Sequence, residues 1–295
     1  MPSRCIGFGD TLGFVLHKGR SMQIKALCGA LGSEIQGVNL ATVDGNEMGV
    51  IRDTYHQSHV LVFPEQDLEP AAQVAFTENF GPAEPHPLKT RATVDGFDTV
   101  LILENKPGQP GAPNDYWHSD ISHSEVPPAA SCLHALTIPD GHGDTMFCNM
   151  VAAYEGLSDG MKALIKPLRA LHSGMATYER SLQSNDARKI DPSEIKPPHA
   201  HPIVRTHPES GKKSLFVNPH FTVGIEGMTD EESKAVLDVL YAAAIQPENI
   251  YRHRWQPGDV LIWDNRSVMH YAVRDYTEDM PRKMHRTTAG GEVPA

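Results

Sequence analysis

Short runs of Val, Ile, Leu and Phe recur along the chain, separated by joints that hold most of its 23 prolines and 24 glycines. Apolar runs of this length, bounded by turn residues, are typical of β-strands. Many short strands with a few helices favour a double-sheet sandwich or jelly roll. The strand candidates are 59–63, 99–105, 131–139, 144–149, 214–218 and 259–265.

A few longer segments carry apolar residues at helical spacing and are predicted to flank the sheets. They are 46–58, 69–80, 151–165 and 229–244. The last opens on Thr229 followed by three acidic residues, which is the pattern of an N-cap with a negatively charged first turn. The sequence therefore predicts a mainly β fold with flanking helices.

The 295 residues are enough for one large domain with a sizeable core. Residues 1–21 are Gly-rich and weakly patterned, and a new strand-like run begins at Met22. We expect 1–21 to be an N-terminal extension, either flexible or upstream of the true start, and 22–295 to be a single domain. The polar, proline-bearing segment 179–200 is predicted to be a long loop and a candidate lid.

The charge and cysteine patterns exclude several classes of protein. A net charge of −11 without a basic run disfavours nucleic-acid binding, although it leaves room for a small anionic substrate held by a few arginines. No window reaches the roughly 18 apolar residues of a membrane span. The four cysteines show no C-x-x-C spacing, which argues against a zinc knuckle or a disulfide framework and indicates the cytoplasm.

His118 and Asp120 form a His-x-Asp pair in the stretch NDYWHSDIS. Residues i and i+2 of a strand point to the same face, so on a strand or at its exit the pair offers a nitrogen and an oxygen to one metal ion. An isolated pair of this kind is more often a surface pair, and His142, His207 and His123 begin similar patterns. Those three lie in or beside Gly- and Pro-bearing turns, whereas His118 alternates with apolar neighbours as in a half-buried strand.

A second histidine is predicted to come from a late strand that closes the sandwich beside the first. His270 follows the buried run 260–263 and the bend 264–267. Together with His118 and Asp120 it would form a 2-His-1-carboxylate triad, which is associated with non-haem Fe(II) oxygenases. From these residues alone, a core or interface histidine is an equally good interpretation of His270.

Several longer motifs occur in a consistent order along the chain: WHSD (117–120), GDTMFCNMVAAYEGLS (143–158), HPIVRTHPESGKKSLFVN (201–218), RWQPGDVLIWDNRSVMHYAV (254–273) and RKMHRTT (282–288). Together they resemble the taurine/α-ketoglutarate dioxygenase family, which includes alkylsulfatases and aryloxyalkanoate dioxygenases. The resemblance extends from Met22 to about Pro294. It implies a double-stranded β-helix, the cupin-like form of the jelly roll, and a dimer or tetramer.

The resemblance also implies an oxidoreductase that uses Fe(II), with 2-oxoglutarate and O2 as cosubstrates. It makes His118, Asp120 and His270 the iron ligands, and gives Arg282 and Thr145 to the far carboxylate of 2-oxoglutarate. A guanidinium suits that role because its planar fork pairs with a carboxylate through two hydrogen bonds. The implied reaction hydroxylates a C–H bond of the substrate and releases succinate and CO2.

The implied substrate is a small organic anion of the sulfonate, alkylsulfate or aryloxyalkanoate type. Lys89 stands where taurine-type enzymes carry a tyrosine, and a lysine beside an ammonium group costs electrostatic energy, so taurine is disfavoured. Other jelly-roll metal enzymes, such as a hydrolase or an isomerase, and a non-catalytic binding sandwich remain alternatives. The residues implied in substrate binding are His86, Asn114, Ile121, Tyr178, Phe221, Arg286 and Lys89.

Overall fold

The computed structural model describes residues 13–17, 20–88, 91–105, 114–183, 191, 193 and 195–295. Within these ranges the chain forms a β-rich fold with helices on its outside. The strands are β1 Gly13–His17, β2 Arg20–Ala26, β3 Ser33–Gln36, β4 Val60–Phe63, β5 Thr93–Val94, β6 Phe97–Asn105, β7 Ala130–Thr137, β8 Thr145–Asn149, β9 Arg169–His172, β10 His199–Pro202, β11 Val204–Thr206, β12 Lys213–Leu215, β13 Thr222–Ile225, β14 Ile250–His253, β15 Val260–Asp264, β16 Val268–Ala272 and β17 Arg282–Ala289. The helices are α1 Gly45–Ser58, α2 Pro70–Thr77, α3 Met150–Glu155, α4 Asp159–Ile165, α5 Met175–Gln183 and α6 Asp230–Ala244.

Two sheets build the sandwich. In the larger sheet the described strands follow the order β1-β2-β3-β4-β15-β7-β17-β6-β5, and in the smaller one the order is β14-β8-β16. Phe147 of the small sheet packs in one buried cluster with Trp263 and Met284 of the large sheet. This cluster is the interior of the sandwich, so residues of β16 and β17 that point inward lie close to each other.

The helices cover the outer face of the large sheet and one flank of the molecule. A second buried cluster joins α1 and α2 to that outer face through residues such as Ile51, Phe76 and Ile262. The predicted cap of α6 is present, because the Thr229 hydroxyl accepts from the backbone N–H of Glu232 and the Glu232 carboxylate accepts from that of Thr229. None of the helices in the described part of the chain is long and apolar enough to cross a bilayer.

Three predicted boundaries differ from the structure. The segment 151–165 forms two helices rather than one, because Ser158 caps α4 by accepting from the N–H of Met161. The first part of the loop predicted at 179–200 is the end of α5; residues 184–190, 192 and 194 lie outside the described residues. Strand β1 pairs with β2 inside the segment predicted as an extension, of which residues 1–12 and 18–19 are not described.

A buried charge cluster holds the turn between β15 and β16, the hairpin that carries His270. The Asp264 carboxylate accepts from His207 Nε2 at 2.8 Å and from Arg266 Nε at 2.8 Å. Arg266 also pairs with Glu209 at 3.0 Å. Burial alone would raise the pKa of Asp264, but Arg266 and His207 outweigh it and hold this pKa far below its usual range. The Asp264 carboxylate therefore stays ionised, and its contacts with His207 and Arg266 hold the turn of the hairpin in place.

His172 of β9 is a buried histidine that the structure keeps neutral. Its Nδ1 lies 3.0 Å from the Ser122 hydroxyl, and its Nε2 is buried without a hydrogen-bond partner among the described residues. Burial, reinforced by the nearby His201, lowers the pKa of His172 to about 3. Because the folded form resists protonation, this histidine stabilises the protein fully above about pH 6.5 and less as the pH falls.

We expect His172→Phe to reduce the amount by which the free energy of unfolding falls between neutral and acidic pH. At pH 5 an unfolded histidine is mostly protonated, so the native protein should lose roughly 2 kcal/mol through this residue, which phenylalanine cannot lose. Urea unfolding at pH 7.5 and pH 5.0 measures the difference. If the free energy of unfolding falls equally in the wild type and the variant between pH 7.5 and pH 5.0, His172 is not held neutral in the folded protein.

Candidate active site

His118, Asp120 and His270 come together at one end of the sandwich interior. One ligand atom from each lies within 4.8 Å of the others. Both histidines present Nε2 at 3.7 Å from Oδ1 of Asp120, and all three side chains are buried. Three groups at this separation can surround one ion, whereas three unrelated polar residues would be satisfied by separate partners.

Backbone pairing places the two histidines opposite each other. His118 and His270 form a single antiparallel bridge, with N–H to carbonyl distances of 3.0 and 2.8 Å in the two directions. Asp120 lies in a turn, and Ile121 after it has a φ of 48°. The pair therefore lies at the exit of a strand rather than along it: pairing stops at His118, and the turn brings Asp120 to the same point.

The protonation states of the three groups suit a divalent metal. His118 Nδ1 donates to the Tyr116 carbonyl at 2.9 Å, so the Nε2 lone pair faces Asp120. Burial lowers the pKa of both His118 and His270, which keeps the rings neutral. Burial opposes ionisation of Asp120, but its pKa is nevertheless lowered, chiefly by the charge of Arg286. Neutral imidazoles and an ionised carboxylate are the forms that bind metal.

The donor set itself fits Fe(II). Two imidazole nitrogens and one carboxylate oxygen leave further coordination positions free for other ligands, and this facial arrangement is the one that non-haem Fe(II) oxygenases use. Zinc sites that are purely structural are instead closed by four protein ligands. In the described part of the chain, no other group of His, Cys, Asp and Glu side chains has comparable spacing.

Arg282, at the start of β17, is a partly buried cation that has no anionic partner among the described residues. Its Nε is buried, and within the described part of the chain it has no hydrogen-bond partner and no carboxylate that pairs with it. Burial lowers the pKa of Arg282, and among the described residues only the nearby phenol of Tyr276 opposes this. Because removing an unpaired guanidinium from water is costly even when it is only partly buried, this position predicts an anionic ligand.

Thr145 opens β8 close to Arg282. Gly143, two residues earlier, has a φ of 75°, and a Cβ there would lie 3.1 Å from Arg282 Nε. The Thr145 hydroxyl accepts from Trp255 Nε1 at 2.9 Å, so its own hydrogen remains free to donate. The predicted pair of Thr145 and Arg282 therefore belongs to the same end of the sandwich.

Arg286 lies four residues after Arg282 on the same face of β17, since side chains alternate along a strand. Met284 between them packs in the interior cluster, which shows that this face points inward. Arg286 Nη2 lies 2.9 Å from Asp120 Oδ2, and its Nε is buried without a partner in the described residues. Strand β17 thus carries the Arg286 guanidinium beside the triad and the Arg282 guanidinium four residues earlier, on the same face.

His86 approaches the same region from the loop after α2. Its Nδ1 accepts from the N–H of Leu88 at 3.1 Å, so a neutral ring carries its proton on Nε2. Burial lowers the pKa of His86 to about 3, and Arg286 and Arg91 lower it further, which keeps the ring neutral. His86 is therefore a neutral donor in a cationic environment.

The other predicted substrate residues lie at different distances from the triad. Asn114 is tied to β16 because its carbonyl accepts from the N–H of Ala272. The Phe221 ring is buried 6.3 Å from the His118 ring, and Ile121 directly follows Asp120. Tyr178 is half-buried in α5. Lys89 lies outside the described residues.

Sequence reasoning missed a stack that joins α5 to the segment carrying His118. The Tyr116 ring stacks on the His220 ring, with 3.6 Å between the ring centres. The Arg180 guanidinium lies 4.4 Å from the centre of the Tyr116 ring. Thr177 of α5 completes the link through a 2.9 Å hydrogen bond to His220 Nε2. These residues lie far apart in sequence, and the only signals were that Tyr116 directly precedes the WHSD motif and that His220 directly precedes Phe221, a predicted substrate residue.

Comparison with known proteins identifies the family. The model of the taurine catabolism dioxygenase TauD, TfdA family matches residues 23–288. The chain belongs to this family. An alkylsulfatase of Acinetobacter baylyi is 35% identical, over 95% of this chain and 88% of that protein. An alpha-ketoglutarate-dependent sulfate ester dioxygenase of Pseudomonas putida is 34% identical, over 92% of this chain and 91% of that protein.

A solved structure has the same fold. The crystal structure of a taurine dioxygenase from Burkholderia xenovorans superposes with a TM-score of 0.78 at 35% identity, covering 93% of this chain and 92% of that one. The predictions of a jelly roll with flanking helices and of a 2-oxoglutarate-dependent dioxygenase of this family are confirmed. The roles of individual site residues stay predictions.

Proposed function

We propose that this TauD, TfdA family dioxygenase hydroxylates the carbon next to the ester oxygen of a small alkyl sulfate. The observation that carries the proposal is the pair of inward-facing arginines on β17, each with a buried, unpartnered Nε. One guanidinium is needed for 2-oxoglutarate, and the second lies beside the triad where a substrate anion would bind. The names of two relatives, an alkylsulfatase and a sulfate ester dioxygenase, favour sulfate as that anion.

In this proposal His118, Asp120 and His270 would hold Fe(II). Arg282 and Thr145 would hold the far carboxylate of 2-oxoglutarate, the guanidinium by charge and the hydroxyl by a hydrogen bond. When bound, Fe(II) with 2-oxoglutarate supplies the oxidation: one atom of O2 enters the substrate C–H bond, the other enters succinate, and CO2 is released. The protein orients the reactants and keeps bulk water away.

Arg286 and His86 would hold the sulfate group. Arg286 supplies a permanent charge and His86 a neutral N–H, and both donate to the sulfate oxygens. Ile121 and Phe221 would line the path of the alkyl chain. Hydroxylation converts R–CH2–O–SO3⁻ into R–CH(OH)–O–SO3⁻, whose C–O bond then breaks to give the aldehyde R–CHO and hydrogen sulfate.

The charges near His86 support a substrate without an amine. Arg286 and Arg91 both act on His86 strongly enough to lower its pKa. An ammonium group placed there would be repelled by the same two guanidinium groups. Simple alkyl sulfates and unsubstituted alkanesulfonates carry no ammonium group, whereas taurine, an aminoalkanesulfonate, does.

A matched substrate panel tests the proposal. With Fe(II), O2 and 2-oxoglutarate, hexyl sulfate is expected to give equal amounts of succinate and sulfate, at a kcat/KM at least about tenfold above those of hexanesulfonate, 4-chlorophenoxyacetate and taurine; a tenfold ratio corresponds to about 1.4 kcal/mol. A higher value for hexanesulfonate or 4-chlorophenoxyacetate would assign the enzyme to that substrate class instead. Succinate without sulfate would show uncoupled turnover and would contradict the proposal.

A cytoplasmic location and a dimer or tetramer are also proposed. Support for the location comes from the cysteines, since Cys28, Cys132 and Cys148 are all free thiols. Support for the oligomer comes from the family resemblance alone. Light scattering after size-exclusion chromatography measures the oligomeric state directly.

A further inference from the structure

A chain of buried hydrogen bonds runs behind Asp120, away from the side that faces the histidines. Trp263 Nε1 donates to Asn265 Oδ1 at 2.9 Å, and Asn265 Nδ2 donates to the Ser131 hydroxyl at 3.0 Å. The Ser131 hydroxyl donates to Asp120 Oδ2 at 2.7 Å. All four side chains are at least 95% buried, so water does not compete for these bonds.

The direction of this chain is fixed by its first member. An indole N–H can only donate, so the Asn265 amide must turn its oxygen towards Trp263 and its NH2 towards Ser131. The Ser131 oxygen already accepts from Asn265, and Arg286 Nη2 lies 3.3 Å away as a second donor. Its single hydrogen is therefore left for Asp120.

These contacts saturate one carboxylate oxygen and leave the other free. Oδ2 of Asp120 accepts from Ser131 at 2.7 Å and from Arg286 at 2.9 Å. Oδ1 has neither contact and faces Nε2 of both histidines at 3.7 Å. The backbone N–H of Asp120 also points to Asn265 Oδ1, at 3.4 Å. The carboxylate is held in one rotation, with a single oxygen presented to the metal position.

We infer that Ser131 and Asn265 are positioning residues that make Asp120 a one-oxygen metal ligand. The inference rests on the proposed metal site and extends it to residues on β7 and on the β15–β16 turn. Without the Ser131 hydrogen bond, the carboxylate can rotate and bind through both oxygens. The second carboxylate oxygen would then occupy a coordination position that the cosubstrate or O2 needs. The rotation would also break the contact between Asp120 and Arg286.

Removing the Ser131 hydroxyl tests the inference on metal binding itself. In Ser131→Ala, the affinity of the metal-free protein for Co(II) should fall about 10- to 100-fold, as is usual when an outer partner of a metal ligand is lost. The visible Co(II) absorption should change as well, since it depends on coordination number. Asn265→Ala should shift both readouts in the same direction, and Ser131→Cys, with its weaker donor, should lie between wild type and Ser131→Ala.

Ser33→Ala is the matched control. Ser33 is a buried serine of the same large sheet, and its hydroxyl makes a 2.7 Å hydrogen bond to Ser58, far from the triad. It should lose stability without changing Co(II) affinity or absorption. If Ser131→Ala does not fold, Ser131→Cys and Asn265→Ala decide the question by the same two readouts.

The failure of the inference and that of the proposed function give different results. Co(II) affinity and absorption in Ser131→Ala that match the wild type, or that change equally in Ser33→Ala, would overturn the positioning role and leave the metal site intact. A wild-type protein that binds no Co(II) or Fe(II) would overturn the proposed function itself. A lower Co(II) affinity together with a changed Co(II) absorption in Ser131→Ala, neither of which occurs in Ser33→Ala, would support the inference.

Discussion

Replacing His270 with alanine is expected to reduce succinate formation to background. His270 supplies one of three ligand atoms that lie within 4.8 Å of each other, and the described residues offer no substitute at that point. Since loss of an outer partner of a ligand already costs about 10- to 100-fold, loss of the ligand itself should exceed about 100-fold. Metal titration and succinate assays on the same preparation measure both consequences.

His134→Ala is the control for that experiment. His134 is a buried histidine of β7 whose Nε2 lies 3.3 Å from the Gln66 carbonyl, away from the triad. It should lose some stability and keep its metal affinity and its activity. Normal succinate formation by His270→Ala would show that the metal lies elsewhere. Equal losses in the two variants, with equal unfolding midpoints, would show that activity merely follows stability.

Arg282→Ala is expected to raise the KM for 2-oxoglutarate about 10- to 100-fold while leaving metal affinity unchanged. A hydrogen bond to a charged group contributes about 1.5–3 kcal/mol, which corresponds to this range. The larger consequence should be a loss of discrimination. The wild type should prefer 2-oxoglutarate strongly over 2-oxovalerate, which lacks the far carboxylate, and the variant should treat the two alike.

Arg274→Ala is the matched control, because Arg274 is an exposed arginine in the loop just before β17. It removes the same charge from the same region and should keep both the KM and the preference for 2-oxoglutarate. An Arg282→Ala enzyme that still prefers 2-oxoglutarate would assign the far carboxylate to another residue. A simultaneous loss of metal affinity would show that Arg282 supports the triad rather than the cosubstrate.

Much of the fold was predictable because local signals agreed with the tertiary structure. The cap at Thr229 and the apolar spacing behind it predicted α6, and the run at 259–265 predicted β15. The helices α3 and α4 were merged because apolar spacing continues across Ser158, although its side chain starts a new helix. A periodic pattern does not reveal a break when the cap residue also fits that pattern.

The site was predictable in composition and less so in geometry. The positions of His118, Asp120 and His270 followed from a resemblance spread over several motifs, and the structure brings the three together. The turn at Asp120 was not predictable, because over five residues an alternating strand and a strand ending in a turn share one pattern. The contact of Arg286 with Asp120 depends on β17 and the turn meeting in space, and no local pattern encodes it.

The most direct test of the central claim is an anaerobic titration of the Fe(II)-loaded protein with 2-oxoglutarate. If the triad binds iron with open positions and Arg282 anchors the cosubstrate, a visible charge-transfer band should appear in the wild type and saturate with one equivalent of 2-oxoglutarate. The same band should be absent in His270→Ala and should need about 10- to 100-fold more 2-oxoglutarate in Arg282→Ala. A wild-type protein that binds Fe(II) and shows no band at saturating 2-oxoglutarate would contradict the account.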